Sequence, residues 1–330
     1  MDFNNKRVLI TGGAGFIGSN LAHYLQENYP EAKVVIFDSF RSGKRLENGN
    51  LKSFGHYKNL LGFKGEIITG DINDPKDLER LRDFRFDYIF HQAAISDTTA
   101  TNQELVMRTN LNTFRDILNM AKDMGANLVY ASSGAVYGNA KAPQRVGVES
   151  PANIYGFSKL AMDNLAYEWA KRVDFSIVGL RYFNVYGPRE FYKDKTASMV
   201  LQFAHQILAG KNPKLFEGSD RIFRDFIYID DVISANLRAT NPKRSGVFNV
   251  GTGKARSFQD IVDILQEQLG TSLECEYIPN PYTKQYQFFT EADIAPTREA
   301  LGYEPKVSLE EGIRRYLPEI KRLFSEEVAK

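Results

Sequence analysis

Val8-Leu-Ile-Thr-Gly-Gly-Ala-Gly-Phe-Ile-Gly18 is the stretch that fixes the fold class. Three apolar residues run into a glycine-rich turn, and beyond it Ile17, Leu21 and Leu25 recur every four residues. That is the pattern of a buried strand, a tight turn and an amphipathic helix. Gly12, Gly15 and Gly18 lie between strand and helix, and Asp38 ends a second apolar run twenty residues after Gly18. The glycines permit the turn, bring backbone N–H groups close to a pyrophosphate and let the helix pack tightly, while Asp38 can accept from an adenosine ribose hydroxyl. A dinucleotide site is therefore expected. Asp38 suits a free 2′-hydroxyl, whereas Arg41, Lys44 and Arg45 can neutralise a 2′-phosphate, so the reading leans to NADP with NAD as the alternative.

The same alternation continues outward. Val34-Val-Ile-Phe37, Ile67-Ile68, Tyr88-Ile-Phe90, Leu128-Val-Tyr130 and Ile177-Val-Gly-Leu180 are short apolar runs separated by helix-compatible stretches such as 102–124 and 155–172. Strands buried on both faces and alternating with helices predict an α/β fold with a doubly wound parallel sheet of Rossmann type. Ligands bind such sheets beyond the carboxyl ends of the strands. After about residue 185 the alternation breaks down, so residues 1–184 are expected to form the dinucleotide-binding domain, with a return of the chain near 225–260. Residues 185–330 are expected to form mainly a smaller substrate lobe.

Composition narrows the function classes. The chain has 330 residues, of which 42 are Lys or Arg and 41 Asp or Glu, so no charge excess marks a nucleic-acid or membrane surface. One cysteine, Cys275, cannot form an internal disulfide, and the four histidines form no zinc spacing. The sequence runs from its first residues into the first strand with no apolar leader, and no apolar run approaches the ~20 residues of a membrane span. The expectation is a cytoplasmic protein without a structural metal.

Tyr155-x-x-x-Lys159 opens a helix, and a spacing of four sets phenol and ammonium on one face. A cation beside a tyrosine is expected to lower its pKa and fit it for proton transfer near neutral pH. Tyr137/Lys141 and Tyr167/Lys171 share the spacing. The first falls in a glycine-bearing loop, and Tyr167 lies about 120° round the helix from Tyr155 at ~100° per residue, so both are read as decoys. Tyr155 is distinguished by Ser132-Ser133, which end the fifth strand and place a hydroxyl near the reacting oxygen. His91 is read as a core histidine, Phe288, Phe289 and Trp169 as core filling, and Asp230-Asp231 as the start of a helix.

Taken together, Thr11 to Gly18, Ser133 with Val136-Tyr-Gly138, Tyr155-Gly-Phe-Ser-Lys159, Arg181-Tyr-Phe-Asn-Val-Tyr-Gly-Pro-Arg189 and Arg224-Asp-Phe-Ile-Tyr-Ile-Asp-Asp-Val232 resemble the extended short-chain dehydrogenase/reductases that act on nucleotide sugars. Within that family, Arg189-Glu-Phe-Tyr-Lys193 with Ala197-Ser-Met199, Pro213-Lys-Leu-Phe-Glu-Gly-Ser219 and Tyr286-Gln-Phe-Phe-Thr-Glu-Ala-Asp293 resemble the branch that epimerises an ADP-linked heptose. The resemblance implies catalytic roles for Ser133, Tyr155, Lys159 and Lys193. It implies a cofactor site formed by Gly12, Gly15, Phe16, Ile17, Gly18, Asp38, Ser39, Arg45, Gln92, Ala93, Ala94, Ile95, Ser96 and Lys159. Substrate contacts are implied for Asn184, Val185, Lys193, Phe216, Glu217, Gly218, Ser219, Arg224 and Tyr286, and an assembly of like chains is implied as well. The sequence departs from the branch at Arg45, where lysine is usual, and at Lys195, where a small polar residue can occur.

The implied reaction is inversion at C6″ of an ADP-heptose by transient oxidation with NADP, in the supply of a lipopolysaccharide core precursor. Proton abstraction from an unactivated secondary carbon is too costly, so hydride must leave and return on opposite faces. Two proton-transfer groups are then needed, Tyr155 and Lys193. A UDP-hexose 4-epimerase is the main alternative and does not need Lys193. A 4,6-dehydratase would carry an acid pair after Ser133, where this chain has Gly134-Ala135. A non-catalytic dinucleotide sensor is a further alternative; it could lose the Tyr155/Lys159 pair, which is retained here.

Overall fold

The computed structural model describes residues 2–280 and 287–328. In chain order its main elements are β1 (Arg7–Thr11), α1 (Phe16–Asn28), β2 (Lys33–Asp38), β3 (Glu66–Thr69), α2 (Pro75–Glu79), β4 (Tyr88–His91), α3 (Gln103–Met107), α4 (Thr113–Met124), β5 (Asn127–Ser133), α5 (Ile154–Ala170) and β6 (Ile177–Tyr182). There follow β7 (Asn184–Tyr186), α6 (Met199–Leu208), β8 (Lys214–Phe216), β9 (Phe223–Tyr228), α7 (Ile229–Arg238), β10 (Gly246–Val250), β11 (Ala255–Ser257), α8 (Phe258–Leu269), β12 (Glu276–Ile278), α9 (Ala295–Leu301) and α10 (Leu309–Leu323).

Seven strands pair in the order β10-β6-β5-β4-β1-β2-β3, every pair parallel. Alternate side chains explain why the strands read as continuous apolar runs. Val8 and Ile10 of β1 enter one core with Val34, Ile36, Phe90, Val129 and Val178, and Leu9 enters the opposite core with Val35, Phe37, Ile89, Leu128 and Ile177. Helices cover both faces. The segment 103–124 is helical throughout, with a π-helical turn at 108–112 between α3 and α4.

After β6 the chain builds a three-stranded sheet, β11-β9-β7, and a two-stranded one, β12-β8. It returns to the large sheet as β10, paired with β6. Asp230 and Asp231 occupy the first turn of α7, where Asp231 accepts from the backbone N–H groups of Lys306 and Val307 at 3.0 Å.

Phe288 and Phe289 were expected to fill core space and are instead exposed, at 53% and 44%. Backbone bonds from Phe223 N–H to Phe288 C=O and from Thr290 N–H to Phe223 C=O hold this segment, so its attachment does not require the rings to be buried. Trp169 packs, partly buried, against the core on the α5 side.

Candidate active site

The strand order reverses between β1 and β4, which opens a crevice at the carboxyl end of the sheet. A cavity of about 640 Å³ lies there. Its floor is backbone. Gly12 has φ +69°, and a Cβ on it would stand 2.7 Å from the Ala93 nitrogen, so only glycine lets the turn after β1 pass against the chain leaving β4. A Cβ on Gly18 would stand 2.3 Å from the Gly12 carbonyl oxygen. α1 has no side-chain cap and no acid in its first turn, and its first residues, Phe16, Ile17 and Gly18, line the cavity, so the positive helix end borders it with no side chain taking its first N–H groups. This cradle fits a dinucleotide pyrophosphate.

Gly15, Ser39 and the run Gln92 to Ser96 line the same cavity. Asp38 does so with its carboxylate fixed, one oxygen accepting from Ala14 N–H at 2.9 Å and the other from Phe40 N–H at 2.8 Å. Burial pushes this carboxyl above its ordinary value, and the two backbone donors oppose the shift. Arg45 stands apart, its guanidinium donating to the Gly49 carbonyl at 2.8 Å outside the cavity wall. Lys44 and Lys52 line the wall instead, the latter 4.0 Å from Asp71.

β5 and α5 build the opposite wall. Ser133 ends β5 and its oxygen accepts from Ala135 N–H at 3.1 Å. Tyr155 and Lys159 face the cavity from α5, with the Lys159 ammonium 5.9 Å from the Tyr155 ring and donating to Ala131 C=O at 2.8 Å. Burial lowers Lys159 to about 8, with the Asp163 carboxylate opposing. Burial raises the Tyr155 phenol, and only its hydrogen bond to Ser133 opposes this. The expected lowering of the tyrosine by its lysine is therefore absent here. The ammonium is committed to a carbonyl, and desolvation dominates.

Behind Lys159 lies a buried network that spacing alone does not disclose. Asp163 accepts from Tyr130 OH at 2.8 Å, Ser132 OH at 3.0 Å and Arg181 Nε at 2.9 Å. Arg181 also reaches Glu149 at 2.5 Å and the Tyr137 oxygen at 2.9 Å. Tyr137 donates to Asn249 Oδ1 at 2.6 Å, so its hydroxyl is committed to the core, and Tyr167 lies on an exposed face of α5. His91 is buried with Nδ1 2.8 Å from Thr11 Oγ1 and is pushed down to about 3 by burial and by Lys159.

Lys193 reaches the cavity from the loop after β7, its ammonium 5.5 Å above the Phe16 ring. Burial lowers it, and the buried Glu190 opposes the shift. Val185 lines the cavity too. Asn184 is exposed outside the wall, and Lys195 is exposed as well. Phe216, Glu217, Gly218, Ser219 and Arg224 also lie outside it, in β8, β9 and the turn between them, within the small sheets. Arg224 is buried, donates to Phe223 C=O at 2.9 Å and stands 5.7 Å from the Phe258 ring. Tyr286 falls outside the described residues. The sequence reading missed Ser53 to Gly55 and Thr69 to Asn73, which complete the wall beside β2 and β3. The rule that ligands sit beyond strand ends, applied to Ile67-Ile68, would have reached the second group.

No described helix is long and apolar enough to cross a membrane, and the described residues contain no group of three or more His, Cys, Asp or Glu able to hold a metal.

Residues 8–251 match the NAD dependent epimerase/dehydratase family. The chain is similar to the ADP-L-glycero-D-manno-heptose-6-epimerase of Brachyspira hyodysenteriae, at 38% identity over 317 residues that cover 94% of this chain and 96% of that one. Among solved structures it is similar to the ADP-L-glycero-D-manno-heptose-6-epimerase of Helicobacter pylori, with a TM-score of 0.88, 54% identity and 97% of each chain covered. It is also similar to the UDP-glucose 4-epimerase of Thermus thermophilus in complex with NAD, with a TM-score of 0.78, 29% identity, and 96% of this chain and 99% of that chain covered.

Proposed function

The chain belongs to the NAD dependent epimerase/dehydratase family, and we propose that it inverts C6″ of an ADP-linked glycero-manno-heptose with NADP as its resident cofactor. The observation that carries this reading is that one cavity holds two separate groups fit for proton transfer, Tyr155 on α5 and Lys193 on the loop after β7. A 4-epimerase has no need of the second.

The nicotinamide, when bound, supplies a hydride acceptor and donor that is restored within each turnover. The Gly12 to Gly18 turn binds its pyrophosphate, and Asp38 with Lys44 and Lys52 holds the adenosine ribose and its 2′-phosphate. Ser133 orients the reacting oxygen, and Tyr155 takes its proton on one face. Lys193 moves the proton on the other, because inversion makes the hydroxyl leave and return on different sides. Lys159 holds the nicotinamide ribose and, as a cation, favours the ionised form of Tyr155 once substrate closes the site.

Incubation of the purified protein with either C6″ epimer of ADP-glycero-manno-heptose, followed by proton NMR, is expected to give the same mixture of both epimers from either side. Acid extraction is expected to release NADP. Conversion of UDP-glucose with no conversion of the heptose would overturn the reading in favour of a 4-epimerase.

A further inference from the structure

Lys193 sits on a short segment that is tied locally, Lys193 N–H donating to Glu190 C=O at 2.9 Å and Thr196 OH to Lys193 C=O at 2.7 Å, and is gripped from a second segment as well. Arg189 and Asp194, on either side of it, are non-glycine residues with φ of +70° and +56°. Such backbone persists only where surrounding contacts impose it. On the inner side Glu190 supplies part of that hold, accepting from Ser198 N–H and Ser198 OH at 2.7 Å. On the outer side the hold comes from the segment that walls the cofactor cavity. The His56 ring lies flat on the Tyr192 ring, with centroids 3.7 Å apart and planes within 1°. The Arg41 guanidinium donates to the Tyr192 carbonyl, and Lys58 pairs with Glu327 close by.

Both gripping residues are themselves tied to the dinucleotide crevice. His56 N–H donates to the Ala14 carbonyl at 3.0 Å, and Ala14 N–H is one of the two donors that fix Asp38. Arg41 N–H donates to Gly55 C=O at 2.8 Å, closing the loop whose members Ser39, Phe40, Ser42 and Lys52 line the cavity. A continuous set of contacts thus runs from the glycine-rich turn through His56 to Tyr192, one residue before Lys193.

We propose that Tyr192 is a positioning residue, clamped by His56 and Arg41 of the cofactor-wall segment, and that this clamp sets the Lys193 ammonium for proton transfer. The proposal rests on the reading of Lys193 as the second proton-transfer group. Its consequence is that the second face of the reaction is competent only while the cofactor wall is in place. Tyr155, carried by α5, does not depend on the clamp.

The test compares Tyr192→Ala, Tyr192→Phe, His56→Asn and Lys193→Met as holoenzymes. Asparagine at 56 keeps an oxygen in place of the ring nitrogen that accepts from Lys58 N–H, so it removes the stack and retains the cap. Three quantities are read: kcat and KM for the heptose, the reduced-nicotinamide signal after mixing with each epimer, and the dinucleotide retained on gel filtration. Misplacement of a reacting group by about 1 Å costs about 10²-fold, so Tyr192→Ala and His56→Asn are expected to lower kcat by about 10- to 100-fold with KM little changed. The reduced-nicotinamide signal should fall for one epimer and persist for the other, matching the pattern of Lys193→Met. Both variants should also lose dinucleotide faster than Lys193→Met does, since only they loosen the wall. Tyr192→Phe, which keeps ring and carbonyl, should restore all three.

Wild-type kcat in Tyr192→Ala and His56→Asn alongside an inactive Lys193→Met would overturn the clamp and leave Lys193 in its role. Full activity in Lys193→Met would instead overturn the reading beneath it. If Tyr192→Ala fails to fold, His56→Asn and Tyr192→Phe decide the matter.

Discussion

The two walls of the crevice carry nearly the same electrostatics on opposite kinds of support. On one wall Lys159 is buried, lowered by desolvation and steadied by Asp163. On the other, Lys193 is lowered by desolvation and steadied by Glu190. Lys159 stands on a helix of seventeen residues, with Asp163 one turn further and a closed network of buried partners behind. Lys193 stands on a loop held from within by Glu190 and from outside by Arg41 and His56. The helical wall holds the first of the two proposed proton-transfer groups rigidly, and the loop wall makes the second conditional on tertiary contacts. An enzyme that must let its substrate reorient between two faces gains from that division, because only one wall needs to yield.

The sharpest way to break the comparison is to remove the group on the rigid wall. Tyr155→Phe deletes the proposed proton acceptor of that wall with little change in shape, and general acid–base groups contribute about 10²- to 10⁴-fold. We expect kcat to fall about 10³-fold while equilibrium binding of the nucleotide sugar, measured by calorimetry, stays nearly unchanged. Tyr167→Phe, on an exposed face of the same helix, should leave turnover unaltered. Equal losses in both would mean that α5 acts as a structural unit and that its spacing identified no special tyrosine.

The supports can be compared in stability as well. Asp163→Asn leaves Arg181, a fully buried cation, with Glu149 as its remaining carboxylate. Breaking a buried pair in this way costs about 3–5 kcal/mol. Glu190→Gln leaves the Ser198 donors one acceptor oxygen where they had two, a loss of about 1–3 kcal/mol for an unsatisfied buried group. Urea unfolding should therefore rank Asp163→Asn as the more damaging substitution. The opposite order would show that the loop wall, not the helix, is the more tightly held.

That contrast also explains what was legible in the sequence. The β1 turn and the parallel sheet follow from local spacing, because glycines at a strand end and alternating core faces are fixed within a few residues of each other. The pairing of Tyr155 with Lys159 is likewise local. The direction of the Tyr155 shift was not legible, since burial dominates it and burial is a property of the assembled walls. Lys193 was reached by resemblance alone, because no periodicity places a loop lysine in a cavity formed by β1, β4 and β5. The substrate contacts that the resemblance implies on β8 and β9 lie in two small sheets outside the cavity wall, and spacing carries no trace of that placement. Arg181 was legible only as the start of a motif, and its buried ion pairs were not, because a buried arginine becomes tolerable only when two distant carboxylates meet it.

The smallest effect expected lies in the segment after β2 that grips the loop wall, at the cations that follow Asp38. The sequence offers Lys44 and Arg45 side by side with nothing to separate them, and the resemblance favours Arg45. The structure separates them, since Arg45 is occupied by the Gly49 carbonyl while Lys44 and Lys52 line the cavity. A charge-assisted contact to a partly exposed phosphate contributes about 1.5 kcal/mol, close to tenfold in affinity. Lys52→Ala should accordingly weaken NADP about tenfold relative to NAD, and somewhat more if Asp71, freed of its partner 4.0 Å away, then repels the phosphate. Lys44, exposed at the rim, should give a smaller change in the same direction. Arg45→Ala removes only a contact internal to the loop, so it should weaken NADP and NAD alike. Dissociation constants for both dinucleotides with the three variants decide the point. A larger change in the NADP to NAD ratio for Arg45→Ala than for Lys52→Ala would show that the loop rearranges around its cofactor and that its cations exchange roles on binding.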